Sequence, residues 1–543
     1  MLSVINLKKN SSEEKSNSKR DDFCLKKNDR TFFHESENIL FFYVGSFFGI
    51  KFTEIETNPD LLKDAFGVFS YCIFFKKLKK VLIGTDKLGF SPIYYYHLKE
   101  LFVFSDFLFE VFDEVGGEVN FEAWDELFNL GDILGDKTTI KNINRLSPGT
   151  RISIEAGEVK FETFWTPEVP EFVDPGTYIK KNNDLLFNAM ELTKSFEGAK
   201  TILLSGGQDS RRIVSAADSI GLDYDLATQE AIHTGGLDDD VLIAEEIADL
   251  LKKPLYRGKL QSANEFYEDS FLRDVSLFFE SHQHEWILPL ARKISRGSLI
   301  YDGIVGDVTV NGHYFRKYSH LIDYQSDTDM LANEICPKKS NFRIDKKLLG
   351  SSLFERVSAE LKKIPDSPHR LTFYYLLNHT RRSISLQSQL CVLHGHQICY
   401  PFLYYPFFLQ SLSLSPSLLI EKFYQSECIK ATNELLDRIP STRNKVPEKY
   451  LIDFSMEQKV RKNFVFSRGK FSAASTAKIL PDFKFKLLYL KALGFVSSSS
   501  CFPIPWFSES VMRFSSFLTV INDNEARCGE KIATKLQNLN RID

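Results

Sequence analysis

Residues 205–210 read Ser-Gly-Gly-Gln-Asp-Ser, directly behind an apolar run, Thr201-Ile202-Leu203-Leu204. Two glycines leave the backbone open to a close approach. The amides that open a following helix have no intrahelical partner and can hold an anion. Ser205 and Ser210 add hydroxyls. Asp209 has the wrong sign for an anion site until a divalent cation bridges carboxylate and phosphate oxygens. The stretch therefore reads as a phosphate-holding turn formed by Ser205, Gly206, Gly207, Asp209 and Ser210. A plain strand-to-helix turn would need only the glycines. No Gly-Lys-Ser/Thr follows, so this is not a Walker loop. Arg211 and Arg212, next in the chain, either neutralise the ligand's charge or line a solvated helix face.

Such a turn belongs at the carboxyl edge of a parallel sheet, and the flanking pattern predicts one. Residues 201–204 form a strand, Leu222 to Thr228 a second, and residues 237–251 a helix. In that helix Leu237, Val241, Ala244, Ala248 and Leu251 share one face, and Asp238, Asp239 and Asp240 occupy the first turn, where they suit the helix dipole. Upstream the pattern differs. Val81 to Thr85, Ile93 to Tyr96 and Leu101 to Phe104 read as short strands, and residues 150–164 as a strand pair bent at Ala156-Gly157. That half is sheet-rich and antiparallel. Pro167 to Pro175, with three prolines and several acids, separates the halves. The expected organisation is a flexible leader over 1–36, an antiparallel domain over 37–168, a parallel-sheet α/β domain over 176–480 and a C-terminal extension over 481–543.

The bulk numbers set limits. A chain of 543 residues exceeds one ordinary core. Its 43% hydrophobic and 26% charged residues fit a globular protein, and a net charge of -4 gives no broad pull toward nucleic acid. Eight scattered cysteines without a CxxC pair fit reduced thiols in the cytoplasm. Cys391, His394, His396 and Cys399 have zinc-ligand types, but their spacing matches no zinc pattern, and buried thiols with core histidines is the preferred reading. The N-terminus lacks a signal-peptide apolar stretch. Residues 383–420 carry no Asp, Glu, Lys or Arg, yet Pro401, Pro406 and Pro416 interrupt them, which suits a buried interior segment rather than a membrane span.

SGGQDS resembles the pyrophosphate loop of ATP pyrophosphatases, and further motifs resemble the asparagine synthetase family. GTDKLGFSPIYYY (84–96) matches at Asp86, Gly89 and Pro92. LSPGT (146–150) with Trp165 is similar to the end of that family's first domain. DGIVGDVTVNGHYF (302–315) matches its glycine-rich stretch at Gly303, Asp307 and Gly312. ICYPFLYY (398–405) retains Pro401-Phe402-Leu403 of "PFLD", and IPSTRNK (439–445) places Arg443 and Lys445. The ordered motifs run from about residue 40 to about residue 450.

This resemblance implies a first domain like a degenerate Ntn-hydrolase sandwich and a second of the ATP pyrophosphatase, adenine nucleotide α-hydrolase-like type. It implies ATP-driven activation of a carboxylate as an acyl-adenylate, then attack by ammonia or another amine with release of AMP. Ser205, Gly206, Gly207, Asp209 and Ser210 would cradle pyrophosphate. Asp209 and Asp307 would hold Mg2+, Gly303 would line the site, and Leu226 to Thr228 would face the nucleotide. Lys445 would supply catalytic charge, with Lys470 as its rival. A small-molecule or peptide carboxylate and an amine are the expected partners, with no nucleic acid or membrane, and a homodimer is left open. The family's N-terminal cysteine nucleophile has no counterpart: Leu2 follows Met1, and the first cysteine is Cys24. Glutamine hydrolysis is therefore not expected. Gln397 and Tyr404 replace acids around "PFLD", and Glu280 and Glu285, flanking His282 and His284, are candidates to compensate. Alternatives are an intramolecular cyclase, a non-catalytic nucleotide-binding scaffold and, more remotely, a sulfur-transferring tRNA enzyme.

Overall fold

The computed structural model describes residues 2–6, 23–26, 30–230, 239–259, 287–338, 344, 346–420 and 423–441. Its first half is two antiparallel sheets. One has the order β2-β1-β8-β7-β9, built from Leu2–Asn6 (β1), Phe23–Lys26 (β2), Tyr94–Leu98 (β7), Leu101–Ser105 (β8) and Ile143–Arg145 (β9). The other has the order β11-β10-β6-β5-β4-β3: Phe32–Glu35 (β3), Ile39–Phe48 (β4), Phe66–Phe75 (β5), Lys80–Thr85 (β6), Thr150–Glu155 (β10) and Glu158–Thr163 (β11). The segment expected as a leader thus contributes β1, β2 and β3. Alternation along the strands sends Phe42, Val44, Ile83, Phe102, Phe104 and Ile152 into one apolar cluster. Phe41, Phe69, Tyr71 and Ile73 fill another, which is where part of the high phenylalanine content goes. The bend between β10 and β11 is Ala156-Gly157, with φ of +50° and +77°, as a two-residue hairpin of the right twist requires.

The second half is a five-stranded parallel sheet, order β14-β13-β12-β15-β16: Lys200–Leu203 (β12), Asp225–Gln229 (β13), Leu255–Gly258 (β14), Leu299–Tyr301 (β15) and Gln397–Cys399 (β16). The chain starts in the middle at β12, moves out through β13 and β14, then returns to the other side of β12. Such a reversal opens a crevice at the carboxyl ends of the two strands that flank it. Ile202 pairs with Tyr301, so the chain leaves β12 and β15 side by side, into residues 204–207 and 302–306. The sequence pattern located β12 and the alternation. It placed the second strand a few residues early; the described helix is Asp239–Leu251, and Leu237 and Asp238 lie outside the described residues.

Residues 383–420 are divided among the helix Arg381–Leu393, β16 and two short proline-started helices, Tyr405–Ser411 and Pro416–Leu419. Among the described residues no helix is long and apolar enough to cross a membrane. His394 Nδ1 lies 3.0 Å from the Leu390 carbonyl and His396 Nε2 2.7 Å from that of Ala291. Among the described residues no group of three or more His, Cys, Asp or Glu is placed to hold a metal.

Candidate functional site

The loop after β12 leads into the helix Gln208–Ser219, with Gly207 as its N-cap. Gly207 is extended, at φ −77°, so its glycine is not demanded by a left-handed turn. What glycine supplies here is an uncovered backbone. Ser210 is buried and acts inside the loop: its Oγ accepts from the Ser205 amide at 3.2 Å and lies 3.2 Å from Ser205 Oγ. Ser205 Oγ in turn accepts from the Gly207 amide at 3.2 Å. The Gly206 amide donates to Asp240 Oδ1 at 2.8 Å. A carboxylate from the next helix therefore sits on the amide that the sequence reading assigns to phosphate.

The glycine-rich stretch after β15 presses directly on this turn. A Cβ on Gly306 would lie 2.6 Å from the Asp209 carboxyl carbon and 2.8 Å from Phe402. One on Gly303 would meet Asp209 and Ser210 backbone atoms at 3.1–3.2 Å. The lack of side chains at 303 and 306 is what brings the two loops together, over a floor made by Phe402 of the Pro401-Phe402-Leu403 segment. Asn311 Nδ2 donates to Asp209 Oδ1 at 3.1 Å and to Oδ2 at 3.3 Å, and Gln425 Nε2 donates to Oδ1 as well.

Asp307 opens the short helix Gly306–Thr309 and is partly buried. Burial pushes its carboxyl up to about 6, against the pull of the Val308 amide, His379 and Arg316. Burial also lowers Arg316, whose guanidinium feels both Asp307 and Asp209. Asp209 and Asp307 thus both act on the charge of Arg316. The oxygen of Asn311 is buried and makes no hydrogen bond among the described residues. Two carboxylates and an orphaned amide oxygen are the donor chemistry a hard divalent ion takes, so these residues fit Mg2+.

Arg211 and Arg212 are resolved in favour of neither sequence reading: both are 2% exposed. Arg211 donates to the carbonyls of Gly206 at 3.1 Å, Leu436 at 3.2 Å and Pro440 at 2.5 Å. Arg212 donates to Gln425 Oε1 at 3.0 Å, Asn182 Oδ1 at 2.7 Å and Asn183 Oδ1 at 3.1 Å. They staple the loop's helix to neighbouring chain and orient Gln425 toward Asp209. Leu226 is fully buried within β13, and Thr228, nearer the carboxyl edge, is 3% exposed. Gln397 starts β16 and lies at the amino edge of the sheet, away from the two loops. Tyr404 packs its ring 5.3 Å from Phe66 of the first domain.

Arg443, Lys445 and Lys470 lie outside the described residues, as do Glu280, His282, His284 and Glu285. Sequence reasoning missed Asn311, Gln425 and Asp240 as loop partners. Asn311 and Asp240 stood within stretches already singled out, next to Gly312 and in the first turn of a helix. Gln425, more than 200 residues downstream of Asp209, gave no local signal.

Residues 53–165 match a glutamine amidotransferase domain family. The chain is 23% identical over 258 residues to a putative asparagine synthetase [glutamine-hydrolyzing] 2 of Methanocaldococcus jannaschii, a match covering 46% of this chain and 44% of that relative. The chain therefore spans less than half the length of that curated relative. Two solved structures align at a TM-score of 0.16. One is glutamine phosphoribosylpyrophosphate amidotransferase from B. subtilis complexed with ADP and GMP, at 13% identity over 53% of this chain and 59% of that one. The other is described as the allosteric regulatory enzyme of purine biosynthesis, at 11% identity over 57% and 61%. At that score the superpositions carry no argument.

Proposed function

We propose that the chain is of the asparagine synthetase type, a reading its amidotransferase-domain match and its curated relative support, and that it is an ATP-dependent, AMP-forming carbon–nitrogen ligase. It adenylates a carboxylate and condenses the product with ammonia or another amine, in the cytoplasm and without hydrolysing glutamine. The first domain is then an Ntn-hydrolase-like sandwich without its thiol chemistry, and the second is an ATP-pyrophosphatase-type domain.

The observation that carries this reading is the meeting of two loops at Asp209 on the carboxyl edge of β12 and β15. The turn 205–210 would offer the tail of ATP its helix N-terminus and, once Asp240 leaves it, the Gly206 amide, where charge builds on departing pyrophosphate. Asp209 and Asp307 would hold Mg2+, which when bound neutralises phosphate charge. Gly303 and Gly306 keep the carboxylates close. Lys445 adds positive charge in the reading carried from the family. Within residues 53–165, which match the amidotransferase domain, the sole cysteine is Cys72; it is wholly buried, and desolvation drives its thiol away from the thiolate form, which supports a reading without glutamine hydrolysis.

The test is pyrophosphate release with ATP, Mg2+ and a panel of carboxylates, together with Asp209→Ala. Release in the wild type and its loss in the variant are expected. ATP binding without release on any panel member would move the chain to the scaffold reading. A cyclised product and AMP formed from a peptide carrying both carboxylate and amine, without added ammonia, would single out the cyclase.

A further inference from the structure

Between the helices Arg370–Tyr375 and Arg381–Leu393 the chain widens into one π turn, Leu376–Thr380. Such turns cost regular hydrogen bonding and recur at functional sites. This one carries His379, whose Nδ1 lies 2.8 Å from both carboxylate oxygens of Asp132. Asp132 comes from the first domain, and its loop is clamped to the π turn. The Gly135 amide donates to Asn378 Oδ1 at 2.8 Å, and the Gly135 carbonyl accepts from Arg381 Nη2 at 3.1 Å and Arg382 Nη2 at 2.8 Å. Arg382 Nη2 also reaches the Lys137 carbonyl at 2.8 Å.

The same turn also meets the stretch that carries Asp307. Tyr314, in the helix His313–Lys317, sets its ring edge-on to His379 with centroids 6.3 Å apart. The His379 side chain pulls the Asp307 carboxyl down against its burial, and Asp307 and Asp132 both raise the Tyr314 hydroxyl. His379 remains 27% exposed while Asp132 is 13% exposed, so the ring is reachable and its orienting carboxylate is sheltered. Nδ1–H donating to Asp132 fixes the tautomer with the basic lone pair on Nε2.

Resting on the ligase reading above, we infer that His379 is the base for the second half-reaction, with Asp132 as its positioning residue supplied by the first domain. The amine nitrogen forms the bond to the acyl carbon, and its proton passes to His379 Nε2. The acyl C–O bond breaks, and AMP leaves with the electron pair. Asp132 stabilises the imidazolium that results, and the proton is later given to water. This assigns the first domain a direct part in chemistry at the synthetase site and supplies a base that Gln397, at the far edge of the sheet, does not.

His379→Gln and the near-isosteric Asp132→Asn test it, using ATP, Mg2+, the carboxylate found by pyrophosphate release, and two amine probes. Ammonium chloride must lose a proton before it attacks. Hydroxylamine is mostly unprotonated at neutral pH and attacks acyl-adenylates without a base. Both variants are expected to lose amide formation from ammonium by about 100-fold or more, the usual worth of a general base. They should keep hydroxamate formation and carboxylate-dependent pyrophosphate exchange within about threefold. A parallel fall in both products, or no fall in either, would overturn the assignment while leaving the ligase reading intact. Absence of hydroxamate and exchange in the wild type itself would overturn the ligase reading, and this inference with it.

Discussion

The carboxylate seated on the proposed phosphate loop makes a prediction that does not depend on knowing the substrate. Asp240 Oδ1 accepts from the Gly206 amide at 2.8 Å, so ATP can use that amide only after Asp240 leaves. A hydrogen bond to a charged group contributes about 1.5–3 kcal/mol, and part of this returns when the half-exposed carboxylate is rehydrated. A net competition of about 1–2 kcal/mol remains, a factor of about five to thirty in affinity. Asp240→Ala is therefore expected to bind ATP about five- to thirtyfold tighter, measured by calorimetry with and without Mg2+. The advantage should shrink with added salt, because the carboxylate is partly solvent-exposed. The same variant loses an acid from the first turn of Asp239–Leu251, a cost of about 0.5 kcal/mol in stability. Unchanged affinity would refute the competition argument. Weaker binding seen only with Mg2+ would instead make Asp240 part of the cation site.

Two further outcomes follow from packing and burial. Gly306→Ala places a methyl group 2.6 Å from the Asp209 carboxyl, and pyrophosphate release should fall by more than about 100-fold; the milder contacts at Gly303 predict a smaller loss for Gly303→Ala, and a reversed order in steady-state rates would contradict the two-loop geometry. His369 is fully buried, with Nε2 3.1 Å from the Leu414 carbonyl, and burial lowers its pKa from 6.5 to about 4. The unfolded chain takes up that proton first, so this contribution to stability is whole above pH about 6.5 and is lost as pH falls through about 4, about 3 kcal/mol in all. Urea unfolding at the two ends of that window should show a smaller pH effect in His369→Gln than in wild type, and an equal effect would remove His369 from the account.

The strand-to-helix turn at 205–210 was legible because its signals are local. A strand, an open backbone, hydroxyls and an acid fall within ten residues, and each type has a physical reason to be there. The strands of the first domain were legible for a similar reason: apolar runs cut by Gly and Pro leave few alternatives. What surrounds Asp209 was not legible. Asn311 and Gln425 reach it from segments far along the chain, and nothing in their own neighbourhoods encodes the reversal at β12 that gathers them. The arginines behind the loop misled in an instructive way. A charged pair at the start of a helix reads as ligand-facing or solvated, yet Arg211 and Arg212 are buried because nearby carbonyls and amides need donors, and an arginine fork satisfies several at once. The glycines were located correctly but for a different reason. Gly207 and Gly306 are there for what a Cβ would strike or cover, not for a left-handed turn.

The contacts between the two halves tie the antiparallel domain to the synthetase-like one whatever chemistry it carries. Arg145 Nη2 donates to Gly89 O at 2.7 Å and to Ser385 Oγ at 2.6 Å. Ser46 Oγ donates to the Ile398 carbonyl at 3.0 Å, Trp165 Nε1 to Tyr405 at 2.7 Å, and Arg356 Nε lies 2.7 Å from Glu126. Arg145, Arg381 and Arg382 are each at most 1% exposed, and burial pulls Arg381 down to about 9. Guanidinium groups so placed depend on their carbonyl partners, because a buried charge that loses its hydrogen bonds costs several kcal/mol. Parting the domains would strip Arg381 and Arg382 of the Gly135 and Lys137 carbonyls, leaving both half-sites destabilised. The same carbonyls fix the loop that presents Asp132. Stability and site geometry are thus carried by one set of bonds, so a change that loosens the antiparallel domain is felt at Asp132 as well.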